Sequence, residues 1–287
     1  MMNGDRFENG GPGSPRSGFE SSADPPSDDS SGSAADDPSV AALETAIDLV
    51  LLDDAIRVGV LRGGVAVHPK YAGRRIFGSG LNLTHLYHGK ISLVEFMLER
   101  ELGALSKMYR GHDVAEPGAP LEDRREKPFV AAVESFAIGG SCQILLVMDR
   151  VIAEAGSYFN LPARKEGIVP GCANLRLPRF VGERPTRQAI FFNRDFAADS
   201  AEGRMLADEV LAAEEIDEAI ARAATELLSA GETSLVANRR QLRVAAEPLD
   251  VFRRYMAGYA REQAHCFYSP ALIDNLERNW EAKRRSL

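Results

Sequence analysis

The chain has 287 residues, 45% of them hydrophobic and 26% charged, and carries a formal net charge of −8 at pH 7. This length can bury a large core. Eight acids stand against Arg6 and Arg16 in the first forty residues, so −6 of the charge sits there; the near-neutral remainder argues against nucleic acid as a partner. Cys142, Cys172 and Cys266 are widely spaced, form no CxxC pair, and fit reduced thiols in a cytoplasm. No apolar run is long enough to span a bilayer and the N-terminus is polar, which predicts a cytoplasmic protein without a membrane partner.

Residues 1–37 are rich in Gly, Ser, Pro and Asp and nearly lack large apolar side chains, so they read as a disordered acidic tail. From 38 the run VAALETAIDLVLLDD has helical spacing, with Val40, Leu43, Ile47, Val50 and Leu51 on one face. Residues 56–61 (IRVGVL) predict a strand. Ile76-Phe77 predicts another, running into Gly78-Ser79-Gly80. Ser92 with Glu95 three residues on is a capping-box signature for a long helix, ISLVEFMLERELGALSKMYRG. The segment 116–126 is charged and contains Pro and Gly, hence a surface loop.

At 129–133 (FVAAV) a buried strand is expected, then a turn at Gly139-Gly140 and a buried helix from Cys142. Residues 150–153 predict a further strand and 158–171 an irregular run with extended pieces. Helical patterns resume at Ala173 and dominate to the end. The expected organisation is an α/β core over 38–195 and a helical region over 196–287, with no internal sequence repeat.

Two similar devices stand out, Phe77-Gly78-Ser79-Gly80-Leu81 and Ile138-Gly139-Gly140. Each joins a strand to a glycine turn. The first amides of a helix have no partner in the helix and carry partial positive charge. If the two turns converge, two backbone N–H groups clamp one carbonyl oxygen, the arrangement that stabilises an enolate. Alone, a Gly-Gly turn is an ordinary feature of an α/β core.

Three stretches together resemble the crotonase (enoyl-CoA hydratase/isomerase) superfamily: FGSGLNL at 77–83, KPFVAAVESFAIGGSCQ at 127–143 and YFNLPARKEGIVPG at 158–171. The resemblance covers residues 38–285 in the family's order. It implies a ββα spiral core with a C-terminal helical trimerisation layer, an acyl-CoA thioester as substrate, and a homotrimer or hexamer. It also implies that the amides of Leu81 and Gly140 form the oxyanion hole. The two glutamates of the family's hydratases fall here on Gln143 and Ala163. A neutral amide has no useful pKa and alanine has no acid–base group, so hydration by that route is not expected. Glu166, close by, reads as a structural or surface carboxylate.

Within the superfamily, HPKYAGRRIFGSGLNLTHLYHG, RELG, ESFAIGG, KEGIVPG and NLRL look like the cofactor-independent dioxygenases of arylacetyl-CoA thioesters. That resemblance implies oxygen as co-substrate and no metal or flavin. It implies Gln143 and Arg100 beside the substrate, and His68, Pro69, Lys70 and Tyr71 against the CoA. It also implies Ser79, Gly80, Asn82, Ile138 and Gly139 around the oxyanion turns, and Gln263 on a C-terminal helix. Ile168, Val169 and Pro170, with Ile138, would line an apolar oxygen pocket.

From the residues alone other readings stay open. The apolar groups suit plain core, Arg100 a surface pair with Glu99 or Glu101, residues 68–71 a solvated loop, and Tyr255 and Tyr259 a core or interface stripe. His85 and His88 have no third ligand at a recognisable spacing, so no metal site is expected. Residues 1–37 show no counterpart of the helical N-terminal region that the resemblance implies. Alternative activities on the same fold are acyl-CoA isomerisation, decarboxylation, thioester hydrolysis, or acyl-CoA binding by a non-catalytic partner subunit.

Overall fold

The computed structural model describes residues 34–113, 124–229 and 231–285. The unbroken apolar run Phe129–Val133 is a central strand of a four-stranded parallel sheet, and all five residues are buried. Strands covered on both faces lose the apolar–polar alternation, which is why this one was legible as a run. On one side Gly59–Arg62 pairs with it, Val60 opposite Val130; on the other Arg150–Glu154 pairs, Val151 opposite Ala131. Glu209–Leu211 completes the sheet beyond Arg150–Glu154. Side chains alternate across it. Ala131 and Val133 pack with Leu145, Phe159 and Leu177, whereas Val130 and Ala132 pack with Ile216 and Ala219 of the helix Ile216–Ser229.

After Val133 the chain turns through Ser135, at φ +62°, into a second strand, Phe136–Ile138. After Glu154 it turns again, into Tyr158–Asn160. These second strands pair in parallel in a smaller sheet that Phe196–Ala197 extends antiparallel. A short helix follows each pair, Gly140–Leu145 and Ala163–Glu166. Strand, strand and helix make one coil of a spiral. An earlier coil runs Gly59–Arg62, Gly80–Leu81 and Leu83–Tyr87, and a bridge from Gly78 to Ala137 stacks it on the next. The coils share geometry without sharing a sequence repeat, because what recurs is burial and the turn glycines.

Four helices, Ile216–Ser229, Glu232–Ala246, Leu249–Phe267 and Pro270–Trp280, form the C-terminal layer. Within the expected helical region 196–287, Phe196–Ala197 and Glu209–Leu211 add edge strands to the two core sheets. At two and three residues they are too short for periodicity to show.

Buried carboxylates fasten this layer to the core. Glu126, expected in a surface loop, is buried and bonded by Arg239 (3.1 Å), Arg240 (3.0 Å) and Arg243 (2.7 Å) of the helix Glu232–Ala246. Glu247 is wholly buried and holds Arg110 at 2.8 Å and Arg176 and Arg179 at 3.0 Å. Each carboxylate is saturated, so removing either would strand several buried guanidinium groups, a cost of about 3–5 kcal/mol.

The last residues of the expected tail are regular. Ala34–Ala35 is a strand, and Asp36 caps the helix Asp37–Leu52 in a reciprocal box with Ser39. Residues 1–33 of the expected acidic tail, and 116–123 of the expected loop, lie outside the described residues. Ser92 caps its helix as expected, accepting from Val94 (3.2 Å) and Glu95 (3.1 Å). The reciprocal half of that box comes from Asp37, which accepts the Ser92 N–H at 3.1 Å, and not from Glu95. The long helix is interrupted: Leu93–Leu98 and Glu101–Leu105 are π-helical, and Arg100 sits between them. Among the described residues no helix is long and apolar enough to cross a membrane.

Candidate active site

The N-terminal strand orients one amide of the site. Ala35 stands opposite Leu81 in parallel register, and the Asn82 N–H donates to the Ala35 carbonyl at 2.9 Å. Successive amides along a strand point to opposite sides, so the Leu81 N–H points away from Ala35. On that far side lies the second glycine turn. Gly80 has φ +85°, and a Cβ added to it would stand 2.9 Å from the Ile138 carbonyl oxygen and 3.4 Å from the Gly140 nitrogen. Only glycine permits both the backbone angle and the approach.

The second amide comes from the helix start. Gly139, at φ +54°, donates its own N–H to the Asn160 carbonyl at 2.8 Å. Gly140 opens the helix Gly140–Leu145, and its N–H has no acceptor among the described residues. The two glycine devices therefore meet, and Leu81 and Gly140 both border one cleft.

Arg100 props the turn from behind. Its guanidinium donates to the Gly140 carbonyl, to Glu101 at 2.7 Å and to the Gln143 amide oxygen at 3.0 Å. Arg100, Glu101 and Gln143 are all buried. The surface-pair reading of Arg100 is thereby corrected: its partner is Glu101, but the pair lies inside. A regular helix would not turn two adjacent charged residues inward, and the widened turns on either side of Arg100 do so. Because Arg100 only donates, the Gln143 oxygen faces it, and the Gln143 NH2 makes no hydrogen bond among the described residues. Gly171, at φ +45°, leaves room for this cluster; a Cβ there would collide with the Glu101 and Gln143 oxygens.

Ile168, Val169 and Pro170 line the opposite wall with Leu161 and Ala163, and Phe96 and Met97 add to the apolar lining. Gln263 is wholly buried and does not reach the cleft. Its Oε1 accepts the Val169 N–H at 2.8 Å, so it positions that wall. Tyr255 and Tyr259 stack, and their hydroxyls donate to the Gly171 (2.6 Å) and Met97 (3.2 Å) carbonyls. This is core work, although Tyr259 also borders the cleft.

Other expected site residues lie apart from the cleft. Ile138 packs into a small cluster with Ala66, Ile76 and Phe136, on the far side of the turn it precedes. Asn82 spends its side chain capping Leu83–Tyr87, accepting the His85 N–H at 2.9 Å. Ser79 precedes Gly80 and does not border the cleft. His68 caps the short turn Pro69–Tyr71, accepting the Lys70 N–H at 3.2 Å, and Lys70 lies over the Tyr71 ring. Tyr71 in turn packs edge-on against Phe136, so this exposed turn is anchored to the strand that leads into Gly139. His85 faces Asp36 at 3.5 Å and His88 the Arg285 carbonyl at 3.4 Å, in different directions.

Three contributions were not read from the sequence. Ala35, Ser39, Val40 and Leu43 also line the cleft, and Glu101 anchors Arg100. Glu166 is half-buried and borders the cleft. It lies three residues after Ala163 on the one-turn helix Ala163–Glu166, hence on the same face, and that spacing was the available signal. Burial pushes its carboxyl up to about 7, with Lys165 pulling weakly the other way. The thiols of Cys142 and Cys172 are pushed up by burial as well, so neither is a nucleophile.

Comparison with known proteins identifies the family. The enoyl-CoA hydratase/isomerase family matches residues 120–268. A (3,5-dihydroxyphenyl)acetyl-CoA 1,2-dioxygenase of Amycolatopsis orientalis is 51% identical over 231 residues, 80% of this chain and 52% of its own length. A crotonyl-CoA hydratase of Syntrophomonas wolfei is 28% identical over 67% of this chain and 66% of its own. The chain thus spans about half the length of the first relative and just under two thirds of the second. Among solved structures, an enoyl-CoA hydratase from Bacillus halodurans superposes with a TM-score of 0.67 at 22% identity, over 85% of this chain and 90% of that one. Pseudomonas aeruginosa OdaA gives 0.69 at 22%, over 85% and 89%. The chain belongs to the enoyl-CoA hydratase/isomerase (crotonase) family.

Proposed function

We propose that the chain is a dioxygenase that converts an arylacetyl-CoA, of the (3,5-dihydroxyphenyl)acetyl-CoA type, to an arylglyoxylate and free CoA. The observation that carries this reading is the combination of a paired-amide cradle with Gln143 and Ala163 at the two positions where a hydratase of this fold holds glutamates. Half-identity with a dioxygenase of that substrate supports it.

The chemistry suits these residues. The Leu81 and Gly140 amides hold the thioester oxygen as the α-carbon loses a proton, and the aryl ring shares the charge. The enolate passes one electron to O2, and the two radicals join in a carbon–oxygen bond. The terminal peroxide oxygen attacks the thioester carbonyl and expels CoA as thiolate. O–O cleavage with loss of the second α-hydrogen leaves the keto acid. Substrate plus O2 gives arylglyoxylate, CoASH and one proton, and the electrons balance without a metal or flavin. The apolar wall of Ile168, Val169 and Pro170 supplies a place for O2 and keeps water from the carbanion. Arg100 holds the Gly140 turn, and the unused Gln143 NH2 is a donor for the substrate.

We place the CoA moiety against the His68–Tyr71 turn, and infer a cytoplasmic homotrimer or hexamer without membrane or nucleic-acid partners. The test is oxygen uptake with (3,5-dihydroxyphenyl)acetyl-CoA in chelator-treated buffer. One O2 consumed for each CoA released is expected. CoA release without oxygen uptake would replace this reading with thioester hydrolysis, and α-deuterium exchange alone would replace it with isomerisation or decarboxylation.

A further inference from the structure

Both glutamate positions of the hydratases are empty of acid, yet an enolate route needs a group to take the α-proton. Among the described residues four titratable side chains border the cleft: Arg100, Glu101, Glu166 and Tyr259. Arg100 has no basic form at accessible pH. Glu101 is only 1% exposed and is committed to Arg100 at 2.7 Å, with Arg176 a further 3.7 Å neighbour. Tyr259 donates to the Met97 carbonyl. That leaves Glu166, whose carboxylate has no hydrogen bond or ion pair among the described residues.

The fold also explains how a carboxylate reaches the cleft from this position. Ala163–Glu166 is a single helical turn closed by Gly167 in the left-handed conformation. Residues three apart on such a turn share a face. Ala163 is buried and borders the cleft, and the longer Glu166 side chain, three residues on, borders the same volume. The elements packed on this turn offer it nothing ionic. The helix Glu183–Phe192 contributes the Phe191 carbonyl to Arg164, and Pro270–Trp280 presents Leu272, Asn275 and Asn279. Lys165, on the turn itself, is exposed.

We propose that Glu166 is the base that removes the substrate's α-proton, an assignment that rests on the enolate reading above. The carboxylate takes the proton, the C–H electron pair becomes the enolate, and the thioester oxygen takes up the charge between the Leu81 and Gly140 amides. The protonated Glu166 then returns its proton to the departing CoA thiolate. The acid–base function of the fold is thus met from one helical turn beyond Ala163, by a single residue in place of a pair.

The experiment is α-hydrogen exchange in D2O under argon with (3,5-dihydroxyphenyl)acetyl-CoA, read by mass spectrometry. Glu166→Gln should slow exchange by about a hundredfold or more. It should bind the unreactive thioether analogue of the substrate within about threefold of the wild-type Kd, which reports an intact fold and cleft. Glu166→Ala should recover exchange by about tenfold or more when acetate or formate is added, since a small carboxylate fits the space vacated. A wild-type chain that exchanges and consumes oxygen while Glu166→Gln does both at its rate overturns the assignment and leaves the enolate reading standing. A wild-type chain that binds the analogue but neither exchanges nor takes up oxygen overturns both.

Discussion

Replacing Glu166 by glutamine should stabilise the folded chain above neutrality and leave it nearly unchanged in acid. Burial raises this carboxyl from an ordinary 4.5 to about 7, and only the exposed Lys165 opposes the rise. The unfolded chain therefore releases this proton before the folded one does. Between those two pH values the unfolded state binds fewer protons, so stability falls as pH rises, and the full penalty is present above about 7. At about 1.4 kcal/mol for each tenfold change in proton affinity, the penalty is about 3 kcal/mol, and cleft water trims it to about 2. Glutamine carries no charge and escapes it. The assay is urea unfolding of both proteins at pH 5 and pH 8.5, followed through buried Trp280, with the difference of differences taken so that every other titrating group cancels. A gain of about 2 kcal/mol that grows from the lower to the higher pH is expected. The same ΔΔG at both pH values would refute the desolvation of the carboxylate, whatever its role in catalysis.

Two further substitutions probe the cradle. Gly140→Pro removes the proposed oxyanion N–H at the first position of a helix, where a proline ring is tolerated, although its Cβ meets the Arg100 guanidinium at 3.2 Å and Arg100 must give way; kcat should fall by about 10²–10³, and a folded variant with unchanged kcat would take Gly140 out of the oxyanion hole. Gly171→Ala puts a side chain at φ +45° and drives it into the Glu101 and Gln143 oxygens. About 1–3 kcal/mol of stability should be lost in denaturant melts, together with a lowered kcat as Arg100 shifts.

The central strand, the two glycine turns and the order of the core were legible because they depend on local signals: an unbroken apolar run at 129–133, and glycines at fixed places after strands. What was not legible depends on distant partners. Glu126 looks like a loop acid in a charged segment, yet three arginines more than a hundred residues later bury it. Arg100 and Glu101 on a regular helix would not both point inward, and nothing in ERELG announces π-helical turns. Ala34 and Ala35 carry no strand pattern of their own. Their order comes from the edge that Gly80 and Leu81 offer, so pairing and not propensity decides where the chain becomes regular. Ile138 was placed in the site by its neighbours in sequence, but a strand alternates, and the side chain before the glycine turn faces the other way.

The distribution of acid and neutral groups also says what the cleft is not. A hydratase must hand a proton to one atom and take one from water, which calls for two carboxylates poised against each other. Here Gln143 sits 3.0 Å from Arg100, so restoring only the first glutamate creates an ion pair and not an acid. Gln143→Glu should carry a carboxyl held low by the adjacent guanidinium, ionised at neutral pH and unable to protonate an α-carbon. It should therefore show no hydration of crotonyl-CoA, followed by loss of the enoyl thioester absorbance, while its charge beside the oxyanion cradle slows enolate formation in the α-hydrogen exchange assay. Measurable hydration by this single variant would mean that Glu166 and the introduced carboxylate cooperate as a pair, and that one neutral amide is all that separates this cleft from the chemistry of its hydratase relatives.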